Sequence, residues 1–340
     1  MREPAFWWGE PGLASCLLAP VAACYGTIAR SRMARRGGRA GVPVICVGNF
    51  TLGGSGKTPA VIAIAHLLRN AGETVFCLSR GYGGGETGPR RVDAHTDRAV
   101  QVGDEALLLA RTAPTFVSRN RATGAEAARA AGATVIVMDD GLQNGSIAKD
   151  LTIAVVDGHR AIGNGKVFPA GPLRAPLETQ WDKTDALLVV GDAAGAAQVI
   201  AAAKARNKPV LRGRLIPEPT AVIALAGKRV LAFAGIGDPE KFFATVSGAG
   251  IAIGRRVAFP DHHRFSAEEA AELVMQAEHE GLTLLTTEKD LARMAHDAGL
   301  AALAERASAL PVTLEFDDAN AVKALLANAI SRRSARGSAA

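Results

Sequence analysis

Residues 53–58 read Gly-Gly-Ser-Gly-Lys-Thr, a run whose residue types suit one task, holding a chain of phosphates. Glycines let backbone N–H groups close on phosphate oxygens, Lys57 reaches the terminal phosphates, and the Thr58 hydroxyl can hold Mg²⁺. The candidate nucleotide contacts are Thr51, Leu52, Gly53, Gly54, Ser55, Gly56, Lys57 and Thr58. Thr51 stands where the strict phosphate-loop pattern has glycine, so the turn is recognised by its strand–loop–helix context. In the signature-lysine membrane ATPases the same place carries lysine. Its absence here argues against their dimer-activated mechanism.

Acids are placed to serve such a loop. The segment 133–140, ATVIVMDD, has the pattern of a buried strand that ends in Asp139 and Asp140. In phosphate-loop enzymes an acid at such a strand end helps hold Mg²⁺. Either aspartate could do so, although ordinary turn acids look the same. Asp104 and Glu105, in QVGDEALLL, stand at a helix entrance. Asp104 there either caps the helix or displays a catalytic carboxylate.

Cations and one imidazole complete the set. Arg80 sits in a Gly-rich loop, Arg119 and Arg121 follow a short strand, and Arg174 lies with Lys166 in the Gly/Pro-rich stretch 163–176. All suit an anionic ligand, and all fit a turn or a solvated face. Gln143 and Asn144 continue the loop after the paired aspartates. The run Pro260-Asp261-His262-His263-Arg264-Phe265 invites a metal reading. The chain's seven histidines form no second cluster, so a loop histidine touching a carboxylate or substrate is the expectation. Glu288-Lys289-Asp290 reads as a mixed-charge loop that opens a helix, with a place at the border of the cleft as the alternative.

The elements that position these residues alternate. Strands are expected at 44–48, 74–79, 114–117, 133–140, 151–157 and 186–190, separated by Ala-rich helical stretches. That alternation predicts a doubly wound parallel sheet, whose ligands sit at the carboxyl ends of its strands. Residues 212–224, with two prolines, read as a linker. Beyond them, expected strands at 228–236, 250–259, 282–287 and 310–316 make a smaller α/β layer, and Ser266 with Glu269 forms a capping box. The predicted organisation is 1–40, an N-terminal apolar helix with an Arg cluster; 41–211, the P-loop domain; 212–224, the linker; 225–330, the smaller α/β domain; and 331–340, a frayed basic tail.

At 340 residues there is room for two domains, and the 48% hydrophobic content supports sizeable cores. Four cysteines without metal-type spacing suit a reducing compartment. The net charge of +6 is modest, but Arg30, Arg32, Arg35, Arg36 and Arg39 crowd one stretch directly after the apolar run 12–29. That run carries Pro20, is marginal for the ~20 apolar residues of a span, and lacks the positive start of a signal. An amphipathic helix lying on anionic lipid is the favoured reading, against a helix packed on the protein body.

Taken together and in order, VGNFTLGGSGKTP, SRGYGGG, VGDEALLLA, VIVMDDGLQN, FPAGPLRAP, FPDHHRFS and TEKD resemble the tetraacyldisaccharide 4'-kinases over nearly the whole chain. The resemblance implies transfer of the ATP γ-phosphate to the 4'-hydroxyl of an acylated glucosamine disaccharide 1-phosphate, with Mg²⁺. It places that work at the cytoplasmic face of the bacterial inner membrane, by a monomer that binds no nucleic acid. It implies Asp104 as the acid that takes the substrate proton, His262 as its partner, and Lys57 as a catalytic cation. Thr58, Asp139 and Asp140 are the implied metal residues, and Arg80, Arg119, Arg174 and Gln143 the candidate substrate contacts. Two departures stand out: Asn144 where the family often has His, and Ala175 where it often has Glu. A membrane-associated regulatory P-loop ATPase is the alternative, and a tethered nucleotide-binding protein without turnover is a third reading.

Overall fold

The computed structural model describes residues 3–337, with side chains described through residue 332. Its strands in chain order are β1 (Val44–Gly48), β2 (Val75–Ser79), β3 (Arg90–Arg91), β4 (Thr115–Val117), β5 (Val135–Asp139), β6 (Leu151–Asp157), β7 (Ala186–Val190), β8 (Val210–Pro217), β9 (Arg229–Ala234), β10 (Ala252–Ala258), β11 (Thr283–Thr286), β12 (Ser308–Ala309) and β13 (Val312–Phe316). Nine of them form one sheet in the order β13-β8-β7-β6-β1-β5-β2-β4-β3, and the other four form a second in the order β10-β9-β11-β12.

The large sheet is parallel except at its two edges, where β3 and β13 run antiparallel. Its inner strands are continuous apolar runs, buried at every position from Val44 to Gly48 and from Val135 to Asp139. Such runs arise because helices cover both faces of a parallel sheet. One face takes Val61, Ile64 and Leu68 of the helix Lys57–Asn70 and Leu109 of the helix Asp104–Thr112. The other takes Ala125 and Ala128 of the helix Arg121–Ala130, with Trp181, Val199 and Ile200 further along. The register pairs Val47 of β1 with Asp139 of β5, so the strand-end acid is level with the strand that feeds the Gly-rich turn.

Several expectations change. Residues 210–217, partly read as linker, form a strand that extends the parallel sheet, followed by a short helix Pro219–Ala224. The segment 310–316, expected in the smaller layer, mostly returns to the large sheet: β13 pairs Leu314 with Leu215 of β8 and buries Leu314 in the main core. Strand propensity marks such a segment but carries no address. The C-terminal helix Ala319–Gly337 then packs Val322 and Leu326 on the same core, so residues 331–337 are helical where a frayed tail was expected. The second sheet has its own cores on both faces, around Phe233 and Leu273 on one side and Phe243 and Val246 on the other. Ser266 and Glu269 form the expected capping box.

At the N-terminus, helices Leu13–Leu17 and Ala19–Met33 lie against the loop that follows β6. Ser15 donates to the Ala170 carbonyl, Trp7 donates to the Pro169 carbonyl, and Gly26 packs near Pro176. The outward side of these helices carries Leu13, Leu17, Val21, Tyr25 and Ile28, all exposed, and the five arginines that follow are exposed as well. Among the described residues no helix is long and apolar enough to cross a membrane.

Candidate active site

The loop between β1 and the helix Lys57–Asn70 has the form of an anion cradle. Gly56 adopts φ +85, a left-handed backbone that glycine accepts without strain, and sets the turn into the helix. Among the described residues the N–H groups of Gly53, Gly54, Ser55 and Gly56 have no protein acceptor. They are donors at a helix N-terminus with nothing to donate to. Leu52 differs: its N–H is engaged by the Pro172 carbonyl at 2.8 Å, and Thr51 pairs with Leu173. These two residues brace the loop from the side.

Lys57 is buried, and its ammonium lies 3.8 Å from Asp140 Oδ1. Burial lowers the Lys57 pKa, opposed chiefly by the Asp140 charge. Asp140 also accepts two hydrogen bonds from Arg174 Nη1, at 2.8 and 3.0 Å, and Arg174 Nε donates to the Thr51 carbonyl at 2.8 Å. Burial favours the neutral form of Asp140, but Arg174 and Lys57 outweigh it and hold its carboxyl well below the usual range. Arg174 thereby links the loop 163–176, the phosphate loop and the strand-end acid.

Asp139 is the opposite case. Both of its carboxylate oxygens are buried without a partner, as is the Thr58 hydroxyl. Burial, reinforced by the negative charges of Glu105 and Asp140, pushes the Asp139 carboxyl up to about 7. A buried acid and a buried hydroxyl beside a phosphate cradle, both lacking partners, are the donor set a hard divalent cation takes. Asp139 and Thr58 therefore fit Mg²⁺, while Asp140 is already neutralised by Arg174.

The second sheet supplies the remaining groups. A Cβ on Gly237 would stand 3.0 Å from the Gly54 nitrogen, so any side chain there would crowd the close approach of the smaller domain to the phosphate loop. His262, in the loop after β10, has φ +54 and anchors its N–H on the Gly235 carbonyl. Its Nδ1 lies 3.5 Å from Asp104 Oδ2, and its ring meets the Tyr82 ring edge-on with centroids 4.8 Å apart. Burial lowers the His262 pKa, but Asp104 raises it further, for a net rise. Burial of Asp104 is likewise overridden, by His262 and Arg293, and its carboxyl lies well below the usual range. His263 is used differently, bonded to Glu269 at 2.9 Å and stacked on Phe259. Among the described residues no cluster of three or more His, Cys, Asp or Glu side chains could hold a metal.

Other expected contacts are dispersed. Gln143 donates to the Asn49 carbonyl and to Gln180 Oε1, both at 2.7 Å, so its amide supports the loop wall. Arg80 and Arg119 are exposed at the ends of β2 and β4. Lys289, read from the sequence as bordering the cleft, enters the centre by pairing with Glu105, and Arg293, which the sequence reading missed, pairs with Asp104. The TEKD run was the available signal, since it opens a helix at a strand end.

The chain as a whole has relatives. The family model for tetraacyldisaccharide-1-P 4'-kinase matches residues 14–331. The chain belongs to that family. A tetraacyldisaccharide 4'-kinase from Nitrobacter winogradskyi is 53% identical over 332 residues, covering 98% of each chain. One from Methylobacterium sp. is 54% identical over 328 residues, covering 96% of this chain and 97% of that one. The crystal structure of LpxK from Aquifex aeolicus in complex with ATP superposes with a TM-score of 0.70 at 25% identity, covering 94% of this chain and 100% of that one. For a member of the tetraacyldisaccharide 4'-kinase family, the two departures sit differently: the Asn144 side chain is used in a turn, where Oδ1 accepts from Ser146 N and Oγ, and Ala175 fills a buried position whose backbone carbonyl accepts from Gln180.

Proposed function

We propose that this protein transfers the ATP γ-phosphate to the 4'-hydroxyl of a tetraacyldisaccharide 1-phosphate. The observation that carries the reading is the meeting of Asp104 with His262, from different sheets, beside a phosphate loop. Family membership favours this over the regulatory ATPase.

Phosphoryl transfer depends on positioning and charge neutralisation more than on covalent chemistry. The free amides of Gly53 to Gly56 hold the phosphates, and Lys57 neutralises the β- and γ-oxygens. Asp139 and Thr58 would hold Mg²⁺, which supplies charge neutralisation on the transferring phosphoryl group. A cavity of about 370 Å³ at the ends of β6 and β7, lined by Asp157, Arg160, Gly191, Asp238 and Lys241, offers room for the nucleoside. Asp104 accepts the proton of the attacking hydroxyl. A sugar hydroxyl is un-ionised near neutral pH, so the base has to lie within hydrogen-bond reach. His262 holds the carboxylate in place and compensates its charge. Arg80 and Arg119, exposed at the ends of β2 and β4, are free to meet an anionic substrate, whereas Arg174 is committed to Asp140 and the phosphate loop.

The acyl chains need an apolar surface. The exposed row Leu13, Leu17, Val21, Tyr25 and Ile28, ending in exposed arginines, supports a helix that lies in the cytoplasmic leaflet. The protein then works as a monomer on the inner-membrane surface. Incubation with γ-labelled ATP and the disaccharide 1-phosphate tests the reading: label is expected in the lipid. ATP hydrolysis without lipid labelling would reject it.

A further inference from the structure

The short helix Glu288–Met294 of the smaller domain places residues 289 and 293 one turn apart on one face. They meet two adjacent acids at the start of the helix Asp104–Thr112. Lys289 Nζ lies 2.7 Å from Glu105 Oε1. Arg293 Nε donates to Asp104 Oδ2 at 2.7 Å, and Nη2 adds a charge contact to the same oxygen at 2.5 Å.

The other edge of the guanidinium is fixed to its own domain. Nη1 donates to the Gly235 carbonyl and to Asp290 Oδ1, both at 2.6 Å. Asp290 is fully buried, and its Oδ2 accepts from Gly235 N at 3.1 Å and from Thr287 Oγ1 at 2.7 Å. Arg293 is therefore a rigid fork with one edge on the second sheet and the other on Asp104. Asp104 Oδ1 accepts one N–H, from Glu105 at 3.0 Å. A carboxylate oxygen has two lone pairs, so Oδ1 keeps one free.

We infer that Arg293 is a positioning residue for the phosphoryl transfer: it clamps Oδ2 of Asp104 so that Oδ1 is presented to the acceptor hydroxyl. The inference rests on Asp104 being the base. A buried ion pair is a poor device for stability alone, because desolvation cancels most of its attraction. Orientation is what a planar fork adds, and lysine cannot reproduce it. The base becomes aligned only when the smaller domain is docked, which ties proton removal to closure over the loop. The charged groups facing Asp104 are Arg293 and Lys289 from this helix, His262 from the loop after β10, and Glu105 beside it, with Asp290 behind the fork.

The test compares Arg293→Met, Arg293→Lys and Arg98→Gln in the full chain, with kcat and both KM values measured at saturating Mg²⁺. Arg98 pairs with Asp297 at 2.7 Å between the same two parts of the molecule, but away from the chemistry. Removing alignment of a general base is expected to cost Arg293→Met ~100-fold in kcat, with KM values changed less than about threefold. Arg293→Lys should recover part of that loss, and Arg98→Gln should leave kcat intact. A folded Arg293→Lys or Arg293→Met protein with wild-type kcat overturns the inference, as does a loss confined to KM. Asp104→Asn is run beside them. Near-normal turnover there would defeat the base assignment itself, a result separable from failure at Arg293.

Discussion

Nδ1 of His262 stands 3.5 Å from Oδ2 of Asp104, although one residue hangs from the four-stranded sheet and the other opens a helix on the nine-stranded sheet. The contact raises the imidazole pKa against the effect of burial. The part of stability that comes from protonated His262 is complete below its unfolded value and fades as pH rises through the higher folded one. In Asp104→Asn the imidazole pKa should fall, as followed by NMR of the ring protons. An unchanged titration would show that the two groups do not interact in solution.

Asp139 adds a second pH dependence, in the same direction but from an acid rather than a base. Its carboxyl rises from an ordinary 3.8 to about 7 in the nucleotide-free protein. The folded state therefore binds more protons than the unfolded state between about pH 4 and 7, and stability falls as pH rises through that window. Asp139→Asn should stabilise the metal-free protein at pH 8, by at most roughly 4 kcal/mol, while abolishing transfer. Mg²⁺ should raise the melting temperature of the native protein and not of the variant. A variant that melts lower than wild type at pH 8 would contradict the picture of an uncompensated acid.

Arg174 is the cation that neutralises Asp140 and braces the Thr51 carbonyl. Arg174→Met leaves the half-buried Asp140 carboxylate short of its partner, a change that costs ~1–3 kcal/mol when a polar group loses its hydrogen-bond donor. The phosphate loop should loosen with it. Isothermal titration should show ATP binding weakened at least about tenfold. Unaltered ATP affinity would mean that the loop 163–176 does not shape the nucleotide site.

The outward row on the N-terminal helices is separable from the fold. Leu13, Leu17, Val21 and Ile28 are all more than half exposed, so replacing them with Ser should change stability by less than ~0.5 kcal/mol each. Flotation with anionic vesicles should show binding lost in the fourfold variant and weakened by salt in the native protein. Full retention of binding would move the membrane contact elsewhere.

Much of this site was legible because phosphate chemistry has a fixed vocabulary. A Gly-rich turn after a buried strand, a Lys-Thr pair, and acids closing a later buried strand can be read without coordinates. The pairing of Asp104 with His262 was reached through the family resemblance, since no spacing rule links residues on different sheets. Arg293 was missed for the same reason: its distance from Asp104 along the chain hides a 2.7 Å bond. The strand Val312–Phe316 was recognised as a strand yet assigned to the wrong sheet. Hydrophobic pattern fixes a segment's period, while its partner is decided by which edge remains open.

The central claim is that Asp104 and His262 act as one proton-handling unit, and a double-mutant cycle on kcat tests it most directly. Asp104→Asn and His262→Asn should each lower kcat by ~100-fold or more, and the double variant should be little worse than Asp104→Asn alone, because groups that act together are not additive. Losses that simply multiply in the double variant would contradict the account.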